Sequence, residues 1–96
     1  MKYELKETGY VYTEKSMNIL IKRWYKASDF TPTNHYYELW SRLEGGEWYY
    51  ANITYSTLET VKECIARLER MDEKDRKNGV IPKWVHHEYD IREVVE

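Results

Sequence analysis

The sequence predicts an α+β fold: a four-stranded antiparallel sheet with two helices on one face, in the order β-α-β-β-α-β. Three observations carry that expectation. Two aromatic, β-rich runs flank Gly45-Gly46, a long amphipathic segment opens at Ser56-Thr57-Leu58-Glu59, and the chain closes on an alternating stretch, Trp84 to Val95. Glycine accepts the positive φ of a tight connection, so residues 35–43 and 47–55 read as a β-hairpin.

The remaining elements follow from periodicity and punctuation. Tyr3 and Leu5 alternate with Lys2, Glu4 and Lys6, and Tyr10-Val11-Tyr12 follows Gly9, which predicts one extended strand over residues 2–12 with a bulge at the glycine. Residues 14–27 mix strand-like composition with helical spacing. At 100° per residue, Met17, Leu20, Ile21, Trp24, Tyr25 and Ala27 fall within an arc of roughly 160°, opposite Asn18, Lys22, Arg23 and Lys26, and this favours a helix capped by Thr13 or Ser16. Were this stretch a strand instead, the fold would be a strand-rich sheet backed by a single long helix. Residues 28–34, with Pro32, read as a loop. Ser56 and Glu59 have capping-box spacing. Leu58, Val61, Cys64, Ile65, Leu68 and Met71 then form an apolar stripe, which Asn78-Gly79 and Pro82 end. In the tail, Tyr89 and Ile91 alternate against Glu88, Asp90 and Arg92.

Length and composition bound the function. Ninety-six residues, 42% apolar and 33% charged, suffice for a single domain spanning 1–96 and for no second core. No run reaches the roughly 18 apolar residues of a membrane span, and Met-Lys-Tyr-Glu-Leu-Lys has no signal-peptide core, so the expected location is cytoplasmic and no membrane partner is expected. One cysteine, Cys64, allows neither an internal disulfide nor a redox pair. The net charge of −2 argues against non-specific binding to phosphate backbones. Charge is nonetheless uneven: Lys15, Lys22, Arg23 and Lys26 cluster, while Glu88, Asp90, Glu93 and Glu96 load the C-terminal end.

The hairpin carries the main anomaly. Tyr36, Tyr37, Trp40, Trp48, Tyr49, Tyr50 and Tyr55 all fall between residues 35 and 55. Alternation sends Tyr37, Leu39, Leu43, Tyr49, Ala51, Ile53 and Tyr55 to one face and Tyr36, Trp40, Trp48 and Tyr50 to the other. A solvated sheet face is normally polar, so the second aromatic set is expected to meet a partner, a ligand or the 28–34 loop. His86 and His87, adjacent on a strand, point to opposite faces and do not chelate together, and neither they nor His35 has a marked nucleophile or carboxylate pair. No metal, cofactor or catalytic residue is assigned, and no enzyme motif is present.

The element order resembles the ferredoxin-like plait, in which two helices cover one sheet face and leave the other open. It is also the order of the RNA recognition motif. However, Glu47-Trp48-Tyr49-Tyr50-Ala51-Asn52-Ile53-Thr54-Tyr55 lacks that family's basic-glycine-aromatic strand, and no residue is carried over from it. In size, charge and aromatic richness, the whole chain resembles the small accessory proteins of phages and mobile elements, some of which inhibit host defence systems. That resemblance implies a non-enzymatic binder. The expected function is therefore engagement of a protein partner through Tyr36, Trp40, Trp48 and Tyr50, with Lys22, Arg23 and Lys26 as an electrostatic rim. Single-stranded nucleic-acid binding by the same aromatics is the second reading, and a ligand-enclosing dimer of ferredoxin-like sheets the third.

Overall fold

The computed structural model describes all residues, 1–96. The chain forms β1 (Lys2–Leu5), β2 (Val11–Thr13), α1 (Glu14–Arg23), a 3-10 turn (Ala27–Asp29), β3 (Phe30–Thr33), β4 (His35–Leu43), β5 (Tyr49–Tyr55), α2 (Leu58–Lys77) and β6 (His87–Val95). The class is α+β with two helices, as expected. The strands, however, divide into two three-stranded antiparallel sheets, ordered β2-β1-β3 and β5-β4-β6. The expected four-stranded sheet and its β-α-β-β-α-β order do not form.

Two local features account for that difference. Gly9 adopts φ +76°, and the Thr8 and Gly9 amides both donate to the Leu5 carbonyl, so residues 2–12 fold back as a hairpin instead of running on as one bulged strand. The 28–34 stretch, expected as a loop, pairs its Phe30–Thr33 segment with β1. Pro32 is tolerated because β3 is an edge strand and a missing amide there breaks no second ladder. The chain then bends at Asn34 and enters β4, so one nearly continuous stretch serves both sheets. They also meet at a Tyr10–Tyr55 bridge, where the two rings lie 4.4 Å apart, and at Ser56, whose amide donates to the Gly9 carbonyl. The molecule is elongated, 46 × 27 × 21 Å, as two sheets meeting at a junction require.

Residues 14–23 are helical, which settles the ambiguity of that stretch. Thr13 is the N-cap, accepting from the Ser16 amide at 3.2 Å. The helix stops at Arg23, four residues short of the expected end, because Lys26 is extended and its amide donates to Asp29 Oδ2 at 2.8 Å. Trp24, placed by periodicity on the buried arc, consequently lies outside the helix and is 70% exposed. α1 packs on β1 and β2, with Tyr12 and Tyr25 edge-on to the buried Phe30.

α2 begins one residue later than the capping-box spacing indicates. Thr57 is the N-cap and accepts from the Thr60 amide, while the Ser56 hydroxyl donates to Glu4 Oε1 at 3.0 Å and helps tie the sheets together. Val61 and Cys64 of its stripe are buried against Leu39 and Tyr55, with Ile53, Ile65, Leu68, Tyr89 and Ile91 packed around them. Met71, at the far end of the stripe, is exposed. No helix is long and apolar enough to cross a membrane.

Leu39 is 0% exposed at the centre of this core. Its replacement by alanine is expected to lower stability by about 2–5 kcal/mol in chemical denaturation, against under about 0.5 kcal/mol for alanine at the exposed Ile19. Equal losses would show that the core is placed wrongly. The phenols of Tyr36, Tyr55 and Tyr89 are all pushed up from their ordinary value near 10, chiefly by burial. Above that pH the unfolded chain sheds protons that the folded one keeps. Alkaline titration should therefore leave these phenols' contribution to stability unchanged up to about pH 10 and reduce it progressively above. A phenolate absorbance curve in which all ten tyrosines titrate together near 10 in the folded state would contradict this packing.

Candidate binding face

α2 covers one face of the β5-β4-β6 sheet, and strand alternation sends the other set of side chains away from it. On this second face β4 contributes Tyr36, Glu38, Trp40 and Arg42. The register places Asp90 opposite Trp40, Arg92 opposite Glu38 and Glu88 opposite Arg42. β5 adds Thr54, opposite Glu38, and Tyr50, opposite Trp40. No helix packs on this side of the sheet, so the expected division of aromatics between faces holds.

A bulge brings the aromatics together. The β4–β5 register shifts between Leu39 and Trp40, so that Ala51 and Asn52 are extra residues on β5. Asn52 takes a positive φ of 58°, a conformation that asparagine tolerates better than most residues. Because two residues are inserted, alternation is preserved while Tyr50 moves back beside Trp40, their rings 5.7 Å apart. Trp48, in the loop before β5, reaches the level of Arg42.

The two tryptophans are roofed by arginines. The Arg92 guanidinium lies 4.0 Å from the Trp40 ring centroid and that of Arg42 lies 4.4 Å from Trp48. Carboxylates fix both cations: Arg92 Nε donates to Asp90 at 3.2 Å and Arg42 Nη2 to Glu88 at 3.0 Å. Trp40 Nε1 donates to Glu38 at 3.3 Å. Arg42 Nε is buried without a hydrogen-bond partner, a deficit that its stacking on Trp48 offsets in part. The face is thus a lattice of alternating aromatic and charged groups, with Trp40 and Trp48 half-buried and Tyr50 38% exposed. The Tyr50 hydroxyl hydrogen-bonds Thr54 Oγ1. Beside Tyr50, a cleft of about 280 Å³ runs toward the first sheet between Lys2, Thr13, Ser16 and Asn52.

The structure redistributes the expected anchor residues. Trp40, Trp48 and Tyr50 come together. Tyr36 does not join them as an accessible anchor: it is 3% exposed, its hydroxyl donates to Glu96 at 2.5 Å, and burial together with that carboxylate raises its pKa. It belongs to the junction, where Lys2 Nζ lies 5.9 Å from its ring. Lys22 and Arg23 end α1 and Lys26 begins the 3-10 turn, all three exposed on the unit built around the first sheet. The cations that border the aromatics are instead Arg42 and Arg92. The alternation of Glu38, Trp40 and Arg42, matched by Glu88, Asp90 and Arg92 in the tail, was the available signal, but only the register shows that they interlock.

A second polar cluster lies between α2 and β6. Asp72 Oδ2 accepts from the Tyr89 hydroxyl at 2.8 Å and lies 3.0 Å from His87 Nδ1, lining a groove with Glu69, Arg76 and His86. No serine, threonine or cysteine lines this groove, and no group of three or more His, Cys, Asp or Glu side chains is arranged to hold a metal ion.

In a Trp24→Phe, Trp84→Phe background, which removes the two most exposed indoles, the remaining emission reports Trp40 and Trp48. Replacing Arg92 or Arg42 by alanine is expected to red-shift that emission and raise its quenching by acrylamide, with circular dichroism unchanged. An unaltered spectrum would show that the arginines do not cover the rings.

Comparison of the chain with family models, with curated proteins and with solved structures gives no match.

Proposed function

We propose that this chain is a non-catalytic binding protein whose open sheet face, centred on Trp40, Trp48 and Tyr50 and framed by Arg42 and Arg92, engages a protein partner. The observation that carries this reading is the arginine roof itself. Tryptophan, tyrosine and arginine are the residues enriched at protein interface hot spots, and here they are held in place before any partner arrives, which lowers the ordering cost of association. Occupying another protein's surface, as small phage inhibitors do, requires no more of the chain than this face. A cytoplasmic setting suits the reduced, buried thiol of Cys64.

The same geometry weighs against single-stranded nucleic acid. Base stacking needs bare aromatic faces and free cations for phosphate. Here guanidiniums already lie over both indoles, and Glu38, Glu88 and Asp90 stand among them. That reading predicts tryptophan quenching by short single-stranded DNA or RNA that weakens with salt.

The test is site-directed photo-crosslinking in lysate of the native cells. A photoreactive phenylalanine at Tyr50 should give a discrete protein adduct that Trp40→Ala abolishes without changing circular dichroism, while the same probe at Lys62, on the outer face of α2, gives none. Equal adducts at both positions, or salt-sensitive quenching by oligonucleotides with no protein adduct, would overturn the reading.

A further inference from the structure

The sheet edges are unequally protected. β2 is three residues long, β3 carries Pro32, and β5 is broken by the bulge at Ala51-Asn52, all of which discourage the addition of another strand. β6 has none of these devices. Its nine residues pair with β4 in unbroken register, and no strand lies on its other side. Hydrogen bonds just beyond its ends fix the direction of its backbone groups: the Glu96 amide donates to the Asn34 carbonyl at 2.7 Å and the Glu44 amide to the His86 carbonyl at 2.9 Å. Even-numbered residues therefore turn their N–H and C=O toward β4. Alternation then leaves those of His87, Tyr89, Ile91, Glu93 and Val95 along the free edge.

We infer that a second copy of this chain pairs antiparallel along the β6 edge, with the two-fold axis through Ile91. Outward groups must face outward groups, and charge selects among the registers this allows. With Ile91 on the axis, Asp90 faces the partner's Arg92 and Arg92 faces the partner's Asp90. Ile91 then meets its own counterpart, and no like charges oppose one another. Moving the axis to Asp90, Arg92 or Glu93 sets that residue against itself, and moving it to Tyr89 sets Glu88 against the partner's Asp90. Opposite charges across an antiparallel pair stabilise and like charges destabilise, so among the registers that overlap most of β6, those centred on Tyr89 to Glu93, only the one centred on Ile91 is self-complementary. The contact is isologous and closes on itself as a dimer. It joins two three-stranded sheets into one of six strands, with α2 of both copies on one side and both aromatic faces on the other.

Sedimentation equilibrium of the full chain over a concentration series tests this. The expected result is a monomer–dimer equilibrium. Glu93→Pro removes an amide that bonds nothing within the monomer, so it should abolish the dimer while preserving circular dichroism. Asp90→Arg should weaken association by about tenfold, and Asp90→Arg combined with Arg92→Asp should restore it. If Glu93→Pro fails to fold, the charge-swap pair still decides. A wild-type chain that is monomeric throughout, a dimer that survives Glu93→Pro, or a double variant that does not recover would each overturn the proposal.

Discussion

The pairing of β4 with β6, nine residues long and without a break, is the constraint on which the rest of the second sheet depends. Side chains of a strand alternate, so a slip of one residue would carry Leu39 to solvent and Trp40 into the core. With the register held, Leu39 and Ile91 meet α2 on one side. Trp40, Arg42, Asp90 and Arg92 meet one another on the other. The core stabilises the register, and the register arranges the aromatic face. The bulge in β5 is compatible with this because it inserts two residues, bringing Tyr50 beside Trp40 without turning the strand over.

The aromatic face is stable in water because it is not bare. Each indole has one broad surface under a guanidinium and each guanidinium is tied to a carboxylate, so apolar area is withdrawn from solvent without a helix above it. Such a surface presents flat, rigid groups whose polar edges are largely engaged within the face itself. It differs from a base-stacking platform, where the rings must be uncovered, and from a hydrophobic docking groove, where charge would be excluded. The shape of the whole molecule fits the same view. The first sheet, with α1, braces the second through the Tyr10–Tyr55 contact and the buried Tyr36, and the cleft between them extends the face.

Much of this was legible in the sequence. The hairpin around Gly45-Gly46, the long helix and its stripe, and the sorting of aromatics between faces all follow from short-range patterns, and the structure has them. What failed depends on long-range pairing. Nothing local says that Phe30–Thr33 will find β1, and Pro32 argues against a strand unless the strand is known to be an edge. Gly9 signals a special backbone in either a bulge or a turn, and only the Tyr3–Tyr12 pairing distinguishes them. Helical periodicity puts Trp24 on the buried arc, but it does not mark where a helix stops when the stop comes from Asp29 capping the next turn. Alternation assigns Tyr36 a face and not a depth. It is the junction with the first sheet, built from residues far away in sequence, that buries it.

The most direct test of the central claim is residue-resolved hydrogen exchange along β6. If β4 and β6 pair as described, the amides of Glu88, Asp90, Arg92 and Val94 exchange slowly at every concentration, while those of Tyr89, Ile91 and Glu93 exchange fast in dilute solution. Slow exchange at Tyr89, Ile91 and Glu93 with fast exchange at their even-numbered neighbours would mean that the strand is turned over, and with it both the core and the aromatic face.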